Sequence, residues 1–248
     1  MATTAQVLAC LGVGIALGTG CTPDEPKDNG DASHESTKDL YLFPELNGVG
    51  LCQSPINISS KAANDGTHEI SMDYMPSSER VIHKAHTVEV QWEKGSTVTF
   101  DGKVYEFRQF HFHTPSEHLI DGITYPLEMH MVNTLRGDDQ VYLVWSILFR
   151  EGEENPLLAT FLNDVPEKPD GEVVLRTKID LMDYRVPELD YYTYQGSLTT
   201  PPYTESVTWV IHKTIREASA AQLKRLGELE GNNARHVQPL HGREVEEK

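Results

Sequence analysis

Three histidines and a glutamate fall within QFHFHTPSEH, residues 109–118, of a 248-residue chain that has only eleven histidines. On an extended strand His111 and His113 leave the same face about 7 Å apart, close enough to share one ion. A histidine pair on a strand is by itself more often a hydrogen-bonded core or surface feature than a pair of ligands. A second stretch, YPLEMHMVN (125–133), changes the balance. Glu128 and His130 share one face of it and Leu127, Met129 and Met131 the other, so a second strand would bring a third imidazole with a carboxylate beside it. Three imidazoles without cysteine suit a catalytic zinc that keeps its fourth position open, because structural sites usually fill all four. Glu128 would then accept the ring N–H of His130 that the metal does not use, fixing the tautomer. A third stretch, YQGSLTTPPYTESVTWV (194–210), places two prolines after Thr199 and Thr200. They make a rigid loop that cannot continue a ladder and can hold a hydroxyl at one point.

These side chains need strands to carry them, and from Val81 onward the dominant rhythm is period two. Val88, Val90 and Trp92 alternate with Thr87, Glu89 and Gln91; Gly95 interrupts, and VTF (98–100) resumes before Asp101-Gly102, a hairpin signal. In KVYEFRQFHFH (103–113) strict alternation puts Tyr105, Phe107, Gln109, His111 and His113 on one face and Glu106, Arg108, Phe110 and Phe112 on the other. Further strands are expected at 125–133, 141–149, 173–175 and 206–212. NPLLATFL (155–162) reads as a short helix, and Ser219 with Gln222 as a capping box opening a helix over 220–229. The expected fold class is mainly β (α+β), one sheet-dominated domain over 40–248 with peripheral short helices. A formal net charge of -17 argues against a nucleic-acid partner, since phosphate binding needs a basic face.

The N-terminal region differs in character. Residues 5–21 are apolar and rich in small residues, too short and weakly flanked for a transmembrane helix and suited to a secretory leader. Gly18-Thr19-Gly20-Cys21 resembles a lipoprotein cleavage box, although Lys and Arg are lacking near Met1 and Gly18 stands where a larger apolar residue is usual. Two readings of 1–21 stay open: a plain cleaved signal peptide, or membrane attachment through a lipidated Cys21. Residues 22–39 are polar and rich in turn formers, a linker that would let the domain stand off a surface. Export implies a periplasmic or extracellular location. Cys10 would leave with the leader, so the mature chain keeps Cys21 and Cys52 and has no obvious disulfide framework.

QSPINI (53–58), QFHFH (109–113), EH (117–118), LEMH (127–130), GSLTTPP (196–202), VTW (207–209) and NNARHVQPL (232–240) together resemble the α-class carbonic anhydrases, in order and at compatible spacing across 50–243. The resemblance implies a central twisted, mostly antiparallel sheet of about ten strands and reversible hydration of carbon dioxide to bicarbonate. It implies that His111, His113 and His130 bind Zn²⁺ with solvent as the fourth ligand, supported by Gln109 and Glu128. By the same resemblance Thr199 would link that solvent to Glu117, and Thr200 would help hold bicarbonate. Val132, Val144, Leu198, Val207 and Trp209 would form a dry wall for carbon dioxide, and His86 would carry the proton to buffer. Esterase side activity is implied as well.

Three departures stand against the family pattern. The usual opening tryptophan-tyrosine segment is missing from HESTKDLYLFPELNGVG (34–50), leaving Tyr41 as a substitute for its tyrosine. Bacterial members often pair the cysteine before QSPINI with one just after the double proline, but Tyr203 holds that second position. Cys52 could therefore stay a free thiol, pair with Cys21, or join two chains as a homodimer. His236 replaces a common proline. The rival readings are a binding or scaffold module without turnover and a zinc hydrolase acting on esters; the full set of three histidines with Glu117 and Thr199 favours the anhydrase.

Overall fold

The computed structural model describes residues 50–184 and 189–248. The expected leader (1–21), the linker (22–39), Cys21 and Tyr41 lie outside the described residues. In chain order the strands are β1 (Asn57–Ile58), β2 (Asn64–Asp65), β3 (Ile70–Asp73), β4 (Ser77–Lys84) and β5 (Thr87–Gln91). Next come β6 (Thr97–Phe100), β7 (Lys103–His113), β8 (Leu119–Ile120), β9 (Leu127–Leu135) and β10 (Asp138–Glu151). Helix α1 (Pro156–Phe161) precedes β11 (Gly171–Ile179), β12 (Tyr191–Gly196), β13 (Val207–His212) and β14 (Arg216–Ala218); helix α2 (Ala220–Glu230) and β15 (Glu246–Glu247) follow.

Ten strands pair side by side in the order β11-β4-β5-β7-β9-β10-β13-β12-β15-β2, with β3, β6 and β14 attached beside this path. Within this sheet only β10–β13, β10–β14 and β15–β2 run parallel. The expected mostly antiparallel sheet of about ten strands is therefore the observed one. Its centre is β7, β9 and β10, of which β9 and the middle of β10 are buried on both faces. Met129, Met131, Trp145 and Ile147 point into a large core closed by Leu157, Leu158 and Phe161 of α1 and by Leu226 and Leu229 of α2. Val144, Leu148, Val207, Trp209 and Ile211 point the other way, into a second apolar cluster that also takes Ile56, Ile58 and Tyr194.

Local chemistry accounts for the element ends. Asp101 and Gly102 both have positive φ, 48° and 75°, the backbone of a two-residue hairpin turn whose twist matches its strands. The Asn155 side chain caps α1 by accepting from Leu157 and Leu158, and Ser219 with Gln222 forms the expected capping box of α2.

Strict alternation along β7 does not survive. The ladder to β9 slips by one residue between Phe107 and Gln109, so Arg108 sits in a bulge and the parity reverses there. Tyr105 and Phe107 thereby join Phe110 and Phe112 in the large core, off the face that carries Gln109, His111 and His113. Trp92 lies just past β5 rather than in it. β10 and β11 extend well beyond 141–149 and 173–175, and β4 and β12 are strands that the alternation rule did not mark.

Cys52 is buried and disulfide-bonded. It is the one cysteine among the described residues, so its partner lies outside them, and the free thiol is removed from its three expected fates.

Candidate metal centre

β7 and β9 are adjacent and antiparallel, with His111 directly across from His130 and His113 across from Glu128. That register sets three imidazoles on one side of the sheet centre, with ring centroids 4.5 to 5.3 Å apart. One ligand atom from each of the three lies within 4.8 Å of the others. Each ring spends its other nitrogen on a neighbour. His111 Nδ1 lies 3.0 Å from Gln109 Oε1, His113 Nδ1 3.4 Å from the Asn233 carbonyl, and His130 Nε2 2.7 Å from Glu128 Oε1. His113 Nε2 is buried with no hydrogen-bond partner, and His130 Nδ1 lies 3.9 Å from Glu117 Oε2, beyond hydrogen-bond distance. The nitrogens left over are thus His111 Nε2, His113 Nε2 and His130 Nδ1.

Such a converging donor set, with His113 Nε2 buried and unpaired, fits zinc. The ion takes neutral imidazole nitrogen at about 2.0–2.1 Å in tetrahedral array, and no cysteine competes. Protonation does not block it. Burial lowers all three histidines, His113 to about 3, so each offers a neutral lone pair at physiological pH. A second cluster, His118, Glu128 and His130, also brings ligand atoms together, but its atoms are already hydrogen-bonded to one another.

Glu128 accounts for that second cluster. Its Oε1 accepts from the rings of His118 and His130 at 2.7 Å each and from Ser146 Oγ at 2.6 Å. Its Oε2 accepts the backbone N–H of Glu117 and His118 at 2.7 and 2.8 Å. Burial pushes this carboxyl up, yet the two imidazoles and their hydrogen bonds win and hold it well below the carboxylate range. The other ring nitrogen of His118 lies 2.7 Å from the Tyr194 hydroxyl, which donates to Ser54 Oγ.

Glu117 behaves in the opposite way. Burial first, then repulsion from Glu128, pushes it well above the usual range, while the Arg235 N–H at 2.9 Å and the Thr199 hydroxyl work to lower it. Thr199 is buried and Thr200 half-buried at the start of the loop carrying the double proline. Val144, Val207 and Trp209 are buried in the second apolar cluster, and Val132 and Leu198 pack against it. The Trp209 ring lies 4.8 Å from that of His130, so this cluster borders the histidine centre.

His86 stands apart. It is exposed on the turn between β4 and β5, while the nearby His83 turns inward, its ring nitrogens against the carbonyls of Pro166 and Leu229. The His86 carbonyl accepts from Asn233 Nδ2 at 2.7 Å, and the same amide reaches the Phe112 carbonyl while Asn233 Oδ1 accepts the Thr114 N–H. Asn233, His118, Ser146 and Arg235 are thus parts of the site that spacing rules did not single out. For Asn233 and Arg235 the only signal was the motif NNARHVQPL.

The family model for eukaryotic-type carbonic anhydrases matches residues 43–248. A carbonic anhydrase of Neisseria gonorrhoeae is 37% identical over 218 residues, 87% of this chain and 85% of the relative. One of Pectobacterium carotovorum is 34% identical over 218 residues, 87% of this chain and 86% of the relative. Among solved structures, the α-carbonic anhydrase of Thermovibrio ammonificans in complex with the inhibitor sulfanilamide superposes with a TM-score of 0.75 at 37% identity, covering 80% of this chain and 88% of that one.

Proposed function

The chain belongs to the eukaryotic-type, or α-class, carbonic anhydrase family, and we propose that it performs the reversible hydration of carbon dioxide on a zinc ion held by His111, His113 and His130. When bound there, zinc supplies the Lewis acidity that lowers the pKa of a coordinated water toward neutrality, an effect for which carbonic anhydrase is itself the standard example. Everything else in the reaction falls to side chains of this chain.

Gln109, Asn233 and Glu128 fix the three rings, so their lone pairs face inward before the ion arrives. By the family resemblance Thr199 would donate its hydroxyl proton to Glu117, whose Oε2 has no hydrogen-bond partner among the described residues, and would then only accept from the reacting solvent, turning that solvent's lone pair toward the substrate. Val132, Val144, Leu198, Val207 and Trp209 form the wall against which carbon dioxide, small and apolar, displaces water. Thr200 offers a hydroxyl to the departing bicarbonate. His86, exposed at the turn, takes the released proton to buffer. The same activated solvent would attack ester carbonyls, hence esterase side activity.

The carrying observation is that three ring nitrogens converge while each opposite nitrogen is already engaged. Metal analysis with stopped-flow hydration on the purified protein tests it, with and without a sulfonamide. One zinc per chain and inhibited turnover are expected; a metal-free protein in the presence of excess zinc would end the reading. We place the enzyme outside the cytoplasm. The leader-like 1–21 favours export, and a disulfide at Cys52 suits an oxidising compartment. Non-reducing mass spectrometry of the mature protein separates plain cleavage with a Cys21–Cys52 disulfide from a lipidated Cys21, whose thioether sulfur could form no disulfide.

A further inference from the structure

Tyr203 occupies the place after the double proline where bacterial relatives often carry a crosslinking cysteine. It is 1% exposed, and its φ of 60° lies in the left-handed region that a bulky residue adopts only when its surroundings over-determine it. Arg235 is part of those surroundings. Its guanidinium carbon lies 3.8 Å from the centroid of the Tyr203 ring, within cation–π range and buried from water.

The edge of the same guanidinium is engaged as well. Nη1 donates to Gln53 Oε1 and to the Ser54 carbonyl, each at 2.8 Å. Gln53 Nε2 in turn donates to the Tyr203 carbonyl at 3.2 Å and to Glu205 Oε1 at 2.7 Å, the oxygen that also accepts the Cys52 N–H. Two further bonds connect this cluster to the site. The Arg235 backbone N–H donates to Glu117 Oε1 at 2.9 Å, and the Tyr203 N–H donates to the Thr200 carbonyl at 2.9 Å. Arg235 therefore touches the Glu117 carboxylate through its backbone and the far end of the Thr199–Thr200 loop through its side chain. A lysine could not do this, because only a planar fork offers a face to a ring and an edge to two acceptors at once.

We propose that the Tyr203–Arg235 stack replaces the covalent crosslink of bacterial relatives and is the device that holds Thr199 in register with Glu117. Tyr203 and Arg235 are positioning residues, and the proposal rests on the reading of Thr199 and Glu117 as the pair that orients the reacting solvent. Cys52, whose sulfur is bonded elsewhere, still ties its segment to this loop, through its N–H and Glu205.

The test compares zinc-loaded full-length wild type with Tyr203→Phe, Tyr203→Leu, Arg235→Lys and the double variant Tyr203→Leu/Arg235→Lys. Tyr203→Leu should lower kcat about ten- to a hundredfold with KM little changed and zinc retained at one per chain, because the loop is misplaced and the ligands are not. Tyr203→Phe keeps the stacking ring and should lose less of the rate than Tyr203→Leu. Arg235→Lys should reproduce the loss, and the double variant should be no slower than the slower single one, because both changes break one contact. Wild-type kcat in Tyr203→Leu, equal damage in Tyr203→Phe, or losses that multiply in the double variant would each overturn the proposal. If Tyr203→Leu does not fold, Arg235→Lys decides alone, a matching kcat loss supporting the proposal and a wild-type kcat overturning it. If zinc-loaded wild type shows no hydration, the reading of the site fails before any variant is compared. Amide exchange at Tyr203 and Arg235 then judges the stack, faster exchange in Tyr203→Leu than in Tyr203→Phe supporting it and equal exchange overturning it.

Discussion

Glu79 should make the protein less stable as the solution becomes alkaline, and Glu79→Gln should remove that dependence. The side chain points inward from β4 and is fully buried; Oε1 has no hydrogen-bond partner and Oε2 has only the Thr160 hydroxyl at 3.4 Å. Burial raises its pKa from 4.5 to about 7, with Thr160 opposing weakly. A folded-state value above the unfolded one means that the folded protein holds the proton more tightly. The associated stability is complete below about pH 4.5 and drains away as the pH climbs through about 7. The full span is worth about 3 kcal/mol at about 1.36 kcal/mol per pH unit, of which roughly 2 to 3 kcal/mol is lost between pH 5 and pH 8. Glutamine does not titrate, so urea unfolding of wild type and Glu79→Gln at a series of pH values, with zinc saturating throughout, should show the stability difference growing by that amount in favour of the variant. Other groups that titrate in this range act on both proteins alike and cancel. Two unfolding curves that stay parallel from pH 5 to pH 8 would refute the reasoning, whatever their offset.

Glu128→Gln should weaken zinc binding about 10- to 100-fold, measured by chelator competition, because an amide N–H₂ must then face donors that the carboxylate now satisfies on both oxygens. Thr199→Ala should keep the metal and lower kcat/KM for hydration about 100-fold, since it removes a hydrogen bond used in orienting the reacting solvent. An unaltered rate would show that the hydroxyl is structural. His86→Ala should slow turnover about tenfold in dilute buffer and recover with added imidazole. Insensitivity to both changes would move the proton path elsewhere.

The histidine cluster was legible because a strand repeats every two residues, and the three histidines with Glu128 obey that repeat within intact stretches of ladder. The Asp101-Gly102 turn and the Ser219–Gln222 cap were legible because their backbone geometry demands particular residue types. The Arg108 bulge was not, as neither glycine nor proline marks it, and one inserted residue moved Tyr105 and Phe107 to the opposite side from the one alternation assigns. β4 was hidden because its buried face reads Ser77, Glu79, Val81, His83, mostly polar by type. In β12 four consecutive residues are buried, so no alternation exists to detect. Asn233 and Arg235 come from the C-terminal segment and reach the site by backbone and side-chain contacts to residues far away in sequence, which residue type alone does not encode.

The pairing of His111 with His130 across β7 and β9 bears on how the enzyme matures. The three proposed ligands all lie in the span 111–130, so a short antiparallel unit with modest loop-closure cost gathers them. Thr199 and Arg235, by contrast, emerge from the ribosome only near the end of synthesis. On the proposed reading, the chain could accordingly capture its ion before the Thr199 loop and Arg235 have docked, and loading and activation would become separable events in maturation.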